Sequence, residues 1–327
     1  MQLWDIETPL PYQVNGALKK DHDGKTLWIV VLKKGWEKYE GGWREMEQSP
    51  AIYSHEQYMG EKGFSAISFD TDIVPQKKNT DILVLGRARS HAKRPVAEMQ
   101  CQLLVDGHID KTLRVVGERG WFQHARSAQV NSAAMFVERD ISYSEAIGGE
   151  DGRNRLGCGV ADSLRLQLEQ RVPSVFYPGE DWSSDTSQVR VAGFGVLPIF
   201  FDARSRFAGT FDQAWQDWRR PLLPEDFNPA FYQSAPNDQQ CNGFLQGGER
   251  IAVSGFSHEG ILEFELPKQA YQATAYIDKS PQTAFMDLHS IYIVAEQEQV
   301  HASWCVAFEC CGKDHLLEKT IVTMRQV

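Results

Sequence analysis

The sequence predicts a mainly β protein, its antiparallel sheets forming one large or two packed sandwich- or barrel-like units, with a short helix and a long ordered loop near 210–241. Three observations carry this. Short runs rich in β-branched and aromatic residues recur roughly every dozen residues, separated by turn residues. Leu262, Phe264 and Leu266 alternate with Glu263 and Glu265, the period of a half-buried strand. Asp106-Gly107 separates the apolar runs 99–105 and 109–116, and that dipeptide closes tight hairpins. No internal repeat or low-complexity tract interrupts the pattern.

Along the chain, residues 25–34 (KTLWIVVLKK) have the length and composition of a strand. Gly24-Lys25-Thr26 looks like the end of a phosphate-binding loop, but such a loop needs glycine at position 19, which is Lys19. Asp70, Asp72 and Asp81 offer carboxylates. Asp before a strand is ordinary turn chemistry, and Ile82-Leu83-Val84-Leu85 reads as a buried strand. Residues 141–160 are glycine-rich without the spacing of a dinucleotide fingerprint. Leu164, Leu166 and Leu168 alternate with Arg165, Gln167 and Glu169, which predicts another strand. The polar, turn-rich residues 178–187 suggest a boundary. The chain then divides into β-rich units 1–187 and 188–327, or forms one continuous domain. A second hairpin is expected over 251–255 and 261–266, and further strands at 271–277, 290–295, 300–308 and 319–324.

The most distinctive stretch is 192–241. Thr210 suits a helix cap, and Gln213 stands where a capping box wants it. Phe211, Ala214, Trp215 and Trp218 follow at helical spacing, which predicts a core-facing stripe with Trp215 and Trp218 buried. Arg219 and Arg220 suit the last turn, and Pro221 ends it. Beyond lies a segment too rich in proline for helix or central strand and too aromatic for a floppy linker. It is either a plug on the end of a β core or a contact surface. On the second reading Phe227, Phe231, Tyr232, Asp238, Gln239 and Gln240 are the candidate protein-binding residues, since aromatic side chains concentrate at interface hot spots.

Composition narrows the function. A net charge of −10 argues against a phosphate backbone as the main ligand. No positively charged leader precedes an apolar run, and no apolar stretch reaches the ~20 residues of a membrane helix. Six thinly spread cysteines suit reduced thiols and the cytoplasm. Gly255-Phe256-Ser257-His258-Glu259-Gly260 misses the hydrolase elbow, with Glu259 where glycine is required. Cys305, Cys310, Cys311 and His315 lack the paired spacing of a zinc site. Adjacent Glu225 and Asp226 do not face each other across a substrate. No catalytic residue, cofactor or metal is expected.

The central stretch also carries a family resemblance. Gly193-Phe194-Gly195, Ala208-Gly209-Thr210-Phe211-Asp212 with Trp215, Arg220-Pro221-Leu222-Leu223-Pro224-Glu225-Asp226-Phe227 and Ala235-Pro236-Asn237-Asp238-Gln239-Gln240 occur in order, followed by Gly247-Gly248-Glu249 and Leu266-Pro267. Trp218 lies between these blocks. Weaker matches lie upstream, at 72–75, 80–84, 117–121 and Gly148-Gly149. In these residues the chain resembles a bacterial family catalogued as a domain of unknown function and encoded beside type VI secretion spike and effector genes. It departs from the family pattern at Val196, where proline is common, and at Ile147, where an aromatic is common. The resemblance implies a cytoplasmic, non-catalytic adaptor. Such a protein would bind a cognate toxin effector and help mount it on the VgrG spike, with a PAAR-type protein. Two alternatives stand beside it: a carbohydrate-binding or glycan-processing β-sandwich module, and a structural component of the secretion apparatus.

Overall fold

The computed structural model describes residues 5–183 and 185–325. The fold is mainly β, carried by a nine-stranded and a five-stranded sheet. The chain first supplies β1 (Asp5–Glu7), β2 (Gln13–Lys20), β3 (Thr26–Tyr39), β4 (Gly42–Glu45) and β5 (Asp81–Leu85). Then come β6 (Glu98–Val105), β7 (Ile109–Val116) and β8 (Val175–Phe176). The last group is β9 (Arg250–Ser254), β10 (Leu262–Glu265), β11 (Ala270–Ile277), β12 (Ser280–Val294), β13 (Gln299–Glu309) and β14 (Leu317–Arg325). The large sheet runs β1-β14-β11-β12-β13-β3-β2, with β4 on β3 and β5 parallel to β12. Its two ends, β1 and β2, approach each other, so the sheet is nearly closed into a barrel. The small sheet runs β8-β7-β6-β9-β10 and is antiparallel throughout.

The two sheets share one core. Leu32 and Trp36 of β3, Leu103 of β6, Leu113 of β7, Phe264 of β10 and Trp304 of β13 belong to a single buried cluster. Trp36 bridges the sheets, its ring 5.2 Å from Phe264 and 6.4 Å from Trp304. Each sheet also takes strands from both sides of residue 187. The turn-rich residues 178–187 therefore do not separate the sheets.

The expected hairpins are present. Gly107 turns between β6 and β7 with φ +74°, a conformation that suits glycine. Leu262, Phe264 and Leu266 are buried while Glu263 and Glu265 are exposed. Strand β3 runs past its expected end at Lys34 to Tyr39. It continues because Lys33 and Lys34 are buried with partners: Lys33 donates to Asp72 at 2.7 Å, and Lys34 donates to Tyr12, Gln269 and Glu45. One expected strand is instead a helix, Leu164–Glu169, because Ser163 accepts the Leu166 N–H and caps it. Alternation over six residues does not by itself distinguish the two periods. No helix among the described residues is long and apolar enough to cross a membrane.

Candidate functional site

Buried polar anchors hold the stretch 193–241 against the sheets. Lys111, pointing inward from β7, donates to Gly193 O at 2.7 Å, Asp238 Oδ1 at 2.9 Å and Gln239 Oε1 at 2.8 Å. Burial pulls its ammonium down to about 8, against the pull of Asp238. The Gln239 amide then donates to Ile82 O at 2.7 Å and Phe194 O at 2.8 Å. Asp81 accepts from Lys77 at 2.6 Å, from Gln233 at 2.7 Å and from the Ser234 N–H at 2.8 Å. Arg204 pairs with Asp70 at 2.7 Å and donates to Leu197 O and Phe231 O. The three aspartates of the sequence analysis thus do not converge on a substrate. Asp70 and Asp81 each secure this stretch, and Asp72 holds Lys33 and Ser303. Gly193 has no room for a side chain: a Cβ there would lie 2.4 Å from the Tyr143 ring. Phe194 is buried against Phe256 at 5.5 Å, next to Gly195.

Residues 211–218 behave in the opposite way. The expected buried stripe is exposed: Trp218 is 86% and Phe211 51% accessible. The capping differs too. Asp212 accepts the Trp215 N–H at 2.8 Å and so caps the helix, while Thr210 gives its N–H and hydroxyl to Asp226 at 2.8 and 2.7 Å. No capping box forms at Thr210. The helix then widens into a π-turn, Trp215–Arg219, in which the Arg220 N–H reaches Trp215 O at 3.0 Å. This wider turn breaks the 3.6-residue period, so the four apolar residues do not face one core. Trp215 stays half-buried, its indole N–H on Leu222 O at 2.8 Å and its ring 4.8 Å from Phe211. Pro224, in contrast, is buried beside Gly209, while Arg220 and Pro221 lie on the surface.

The candidate contact residues separate into two sets. Phe227, Phe231 and Tyr232 form a half-buried trio with centroids 5.5–6.2 Å apart. Asp238 is exposed, and its other carboxylate oxygen accepts from Tyr177 at 2.7 Å. Gln240 is half-buried, and its amide closes the local turn on Ala235 O at 2.9 Å. Gln239 is 0% accessible and is corrected to an anchor: no partner protein can touch it. The reading also missed Lys111 and Arg204. The signal for Lys111 was available, because period two along β7 puts it on the inward row with Ile109, Leu113 and Val115.

Three clefts border this stretch, of about 510, 550 and 590 Å³. The first lies between the 21–23 turn, residues 75–77, the middle of β12 and the rings of Phe227 and Tyr232. The second has a floor of Tyr143, Leu197 and Phe201 and a rim that includes Arg153, Arg190 and Arg206. The third lies against the π-turn, with Trp215 and Trp218 in its wall. Burial pushes the Cys305 thiol, in the first cleft, up to about 12, the opposite of what a nucleophile needs. His258 is not joined to Ser257: one ring nitrogen lies 2.7 Å from Ser90 O and the other 3.1 Å from Glu138. Among the described residues no three His, Cys, Asp or Glu side chains gather where a metal ion could sit.

No curated protein and no solved structure matches the chain. The anchored stretch, the projecting turn and both sheets fall largely within residues 23–304, and those residues match the family model described as an uncharacterized protein conserved in bacteria (DUF2169). The chain belongs to that family.

Proposed function

We propose that this protein is a non-catalytic adaptor that binds a cognate toxin effector of a type VI secretion system in the cytoplasm and loads it onto the VgrG spike and its PAAR-type protein. One observation carries the reading: an aromatic turn, with Trp218 at 86% accessibility, projects from a base fixed by hydrogen bonds at Thr210, Asp212 and Trp215. A Trp buries roughly 150–250 Å² when covered, worth about 4–6 kcal/mol before ordering costs. A side chain of that size left in water on a rigid support suits a partner's surface. The ring geometry favours protein over sugar: Phe211–Trp215 and the Phe227 trio meet at 61–76°, whereas a carbohydrate platform wants coplanar rings. The family resemblance at 193–241 supplies the secretion context.

The test is co-expression with toxin and spike proteins of type VI secretion from the same genome. The wild-type chain should capture the toxin, and the Phe211→Ala/Trp218→Ala double variant should lose that capture while melting at the same temperature. Undiminished capture by the double variant removes the assigned surface. Co-purification of the protein with assembled spike particles would instead favour a structural component.

A further inference from the structure

The first cleft has an uneven charge balance. Asp21, Asp23, Asp287 and Glu309 line it, facing Lys77 and His22. The Lys77 ammonium is already held by Asp81 at 2.6 Å and Ser290 at 2.9 Å, and its side chain is 3% accessible. Asp23 is met by His22 at 2.9 Å, and Glu309 by Lys25 at 3.2 Å. The Asp21 carboxylate takes the backbone N–H groups of Asp23 and Lys25. Asp287 differs: it is exposed at the mouth of the cleft and among the described residues has no hydrogen-bond or ion-pair partner, so its carboxylate is free to take one. A second, independent feature sits two residues along β12. His289 lines the same cleft at 5% accessibility, with Nδ1 buried and unpartnered. Its ring stacks on Phe244 at 5.8 Å, and burial, then Lys77, holds it neutral, with one N–H donor and one acceptor nitrogen. Phe227, its ring stacked on that of His22 at 6.2 Å, and Tyr232 complete the wall.

An exposed carboxylate with no protein partner in an acidic cleft, an imidazole with one unpartnered nitrogen and two aromatic rings suit one kind of group, a donor-rich cation on an apolar stem. We propose that this cleft receives an arginine- or lysine-bearing segment of the partner protein, its cation on Asp287 and its stem along Phe227 and Tyr232. The partner's identity as an effector rests on the adaptor reading; the chemistry of the cleft does not. The segment would dock beside the exposed aromatic turn, so apolar and charged contacts would act on one partner.

The probe is a fluorescein-labelled peptide of alternating glycine and arginine, titrated onto the full chain at low salt and read by fluorescence anisotropy. Its glycine–glutamate counterpart is the control. Asp287→Asn should weaken arginine-peptide binding about tenfold, the scale of one charge-assisted hydrogen-bonded pair. Asp278→Asn removes an exposed carboxylate that pairs with Lys313 outside the cleft and should change nothing. Unaltered melting temperatures exclude misfolding as the cause. The proposal falls if Asp287→Asn binds like wild type, or if Asp278→Asn weakens binding equally and general negative charge explains both. Effector capture separates the two readings. Capture by wild type and Asp287→Asn alike leaves the adaptor standing and removes the cleft from it. No capture by wild type removes the adaptor, and the peptide titration still decides the cleft.

Discussion

Residues 193–195 and 233–241 lie largely beneath the surface, whereas residues 211–218 of the same stretch stand out from it. The first part is polar with one aromatic, Phe194, and the second sets Phe211, Trp215 and Trp218 among polar side chains. In the first, polar groups are turned inward, and Lys111, Asp81 and Gln239 meet buried backbone carbonyls and amides. In the second, polar groups tie only the base of a helix, Phe211 and Trp218 are left in water and Trp215 is half-buried. A dense motif therefore serves two ends here. One half fixes the position of the stretch, and the other presents a surface at that position.

The anchored half should break with the largest effect. Asp81→Ala strips Lys77, Gln233 and the Ser234 N–H of a shared acceptor, all of them buried or nearly so. Removing one partner of a buried pair leaves an uncompensated charge and costs about 3–5 kcal/mol. Urea unfolding should show a loss of that size. A loss under about 1 kcal/mol would mean that water replaces the carboxylate easily and that the half is not anchored in this way.

Acid tests the buried sheet more gently, at His289 of β12 and His301 of β13. Burial, then the nearby charge of Lys77, holds His289 down to about 3; burial, then Lys33, holds His301 down to about 4. Both folded values lie below the ordinary 6.5, so between about 6.5 and 4 the unfolded chain takes up protons that the folded chain refuses. Their contribution is complete above about 6.5 and is lost as pH falls, by about 1.4 kcal/mol per pH unit for each proton. His289→Phe keeps a ring against Phe244 and removes one of these protons. Its stability should therefore fall less steeply with acid than that of the wild type. Parallel slopes from pH 6.5 to 4 would show that the His289 site admits a proton when folded.

What the sequence showed of this, and what it hid, follows from the reach of each interaction. The β6–β7 hairpin and the alternation in β10 were legible because Asp106-Gly107 and Leu262, Phe264 and Leu266 act within a few residues. The shared core was not, since β3 pairs with β13 across most of the chain, Leu27 against Glu309. Lys33 and Lys34 read as a strand end because their partners, Asp72 and Glu45, come from other parts of the chain. The resemblance marked the right stretch but did not say which of its residues face water. Gln239 and Trp218 exchanged roles for that reason: the first is held by a lysine from β7, and the second is turned outward by a π-turn that no propensity signals.

The smallest stability effect belongs to the projecting half, and it bears most directly on function. Trp218 is 86% accessible, so Trp218→Ala should shift unfolding by no more than about 0.5 kcal/mol, as surface substitutions do. Phe194, 1% accessible and packed on Phe256, is the contrast, and Phe194→Ala should cost about 3–5 kcal/mol. If the two substitutions cost the same, Trp218 is packed in solution and the division between anchored and projecting halves fails. If they separate as expected, a large ring contributes almost nothing to the protein that carries it. Its effect must then be sought in a complex, by measuring dissociation of the captured partner from Trp218→Ala against wild type.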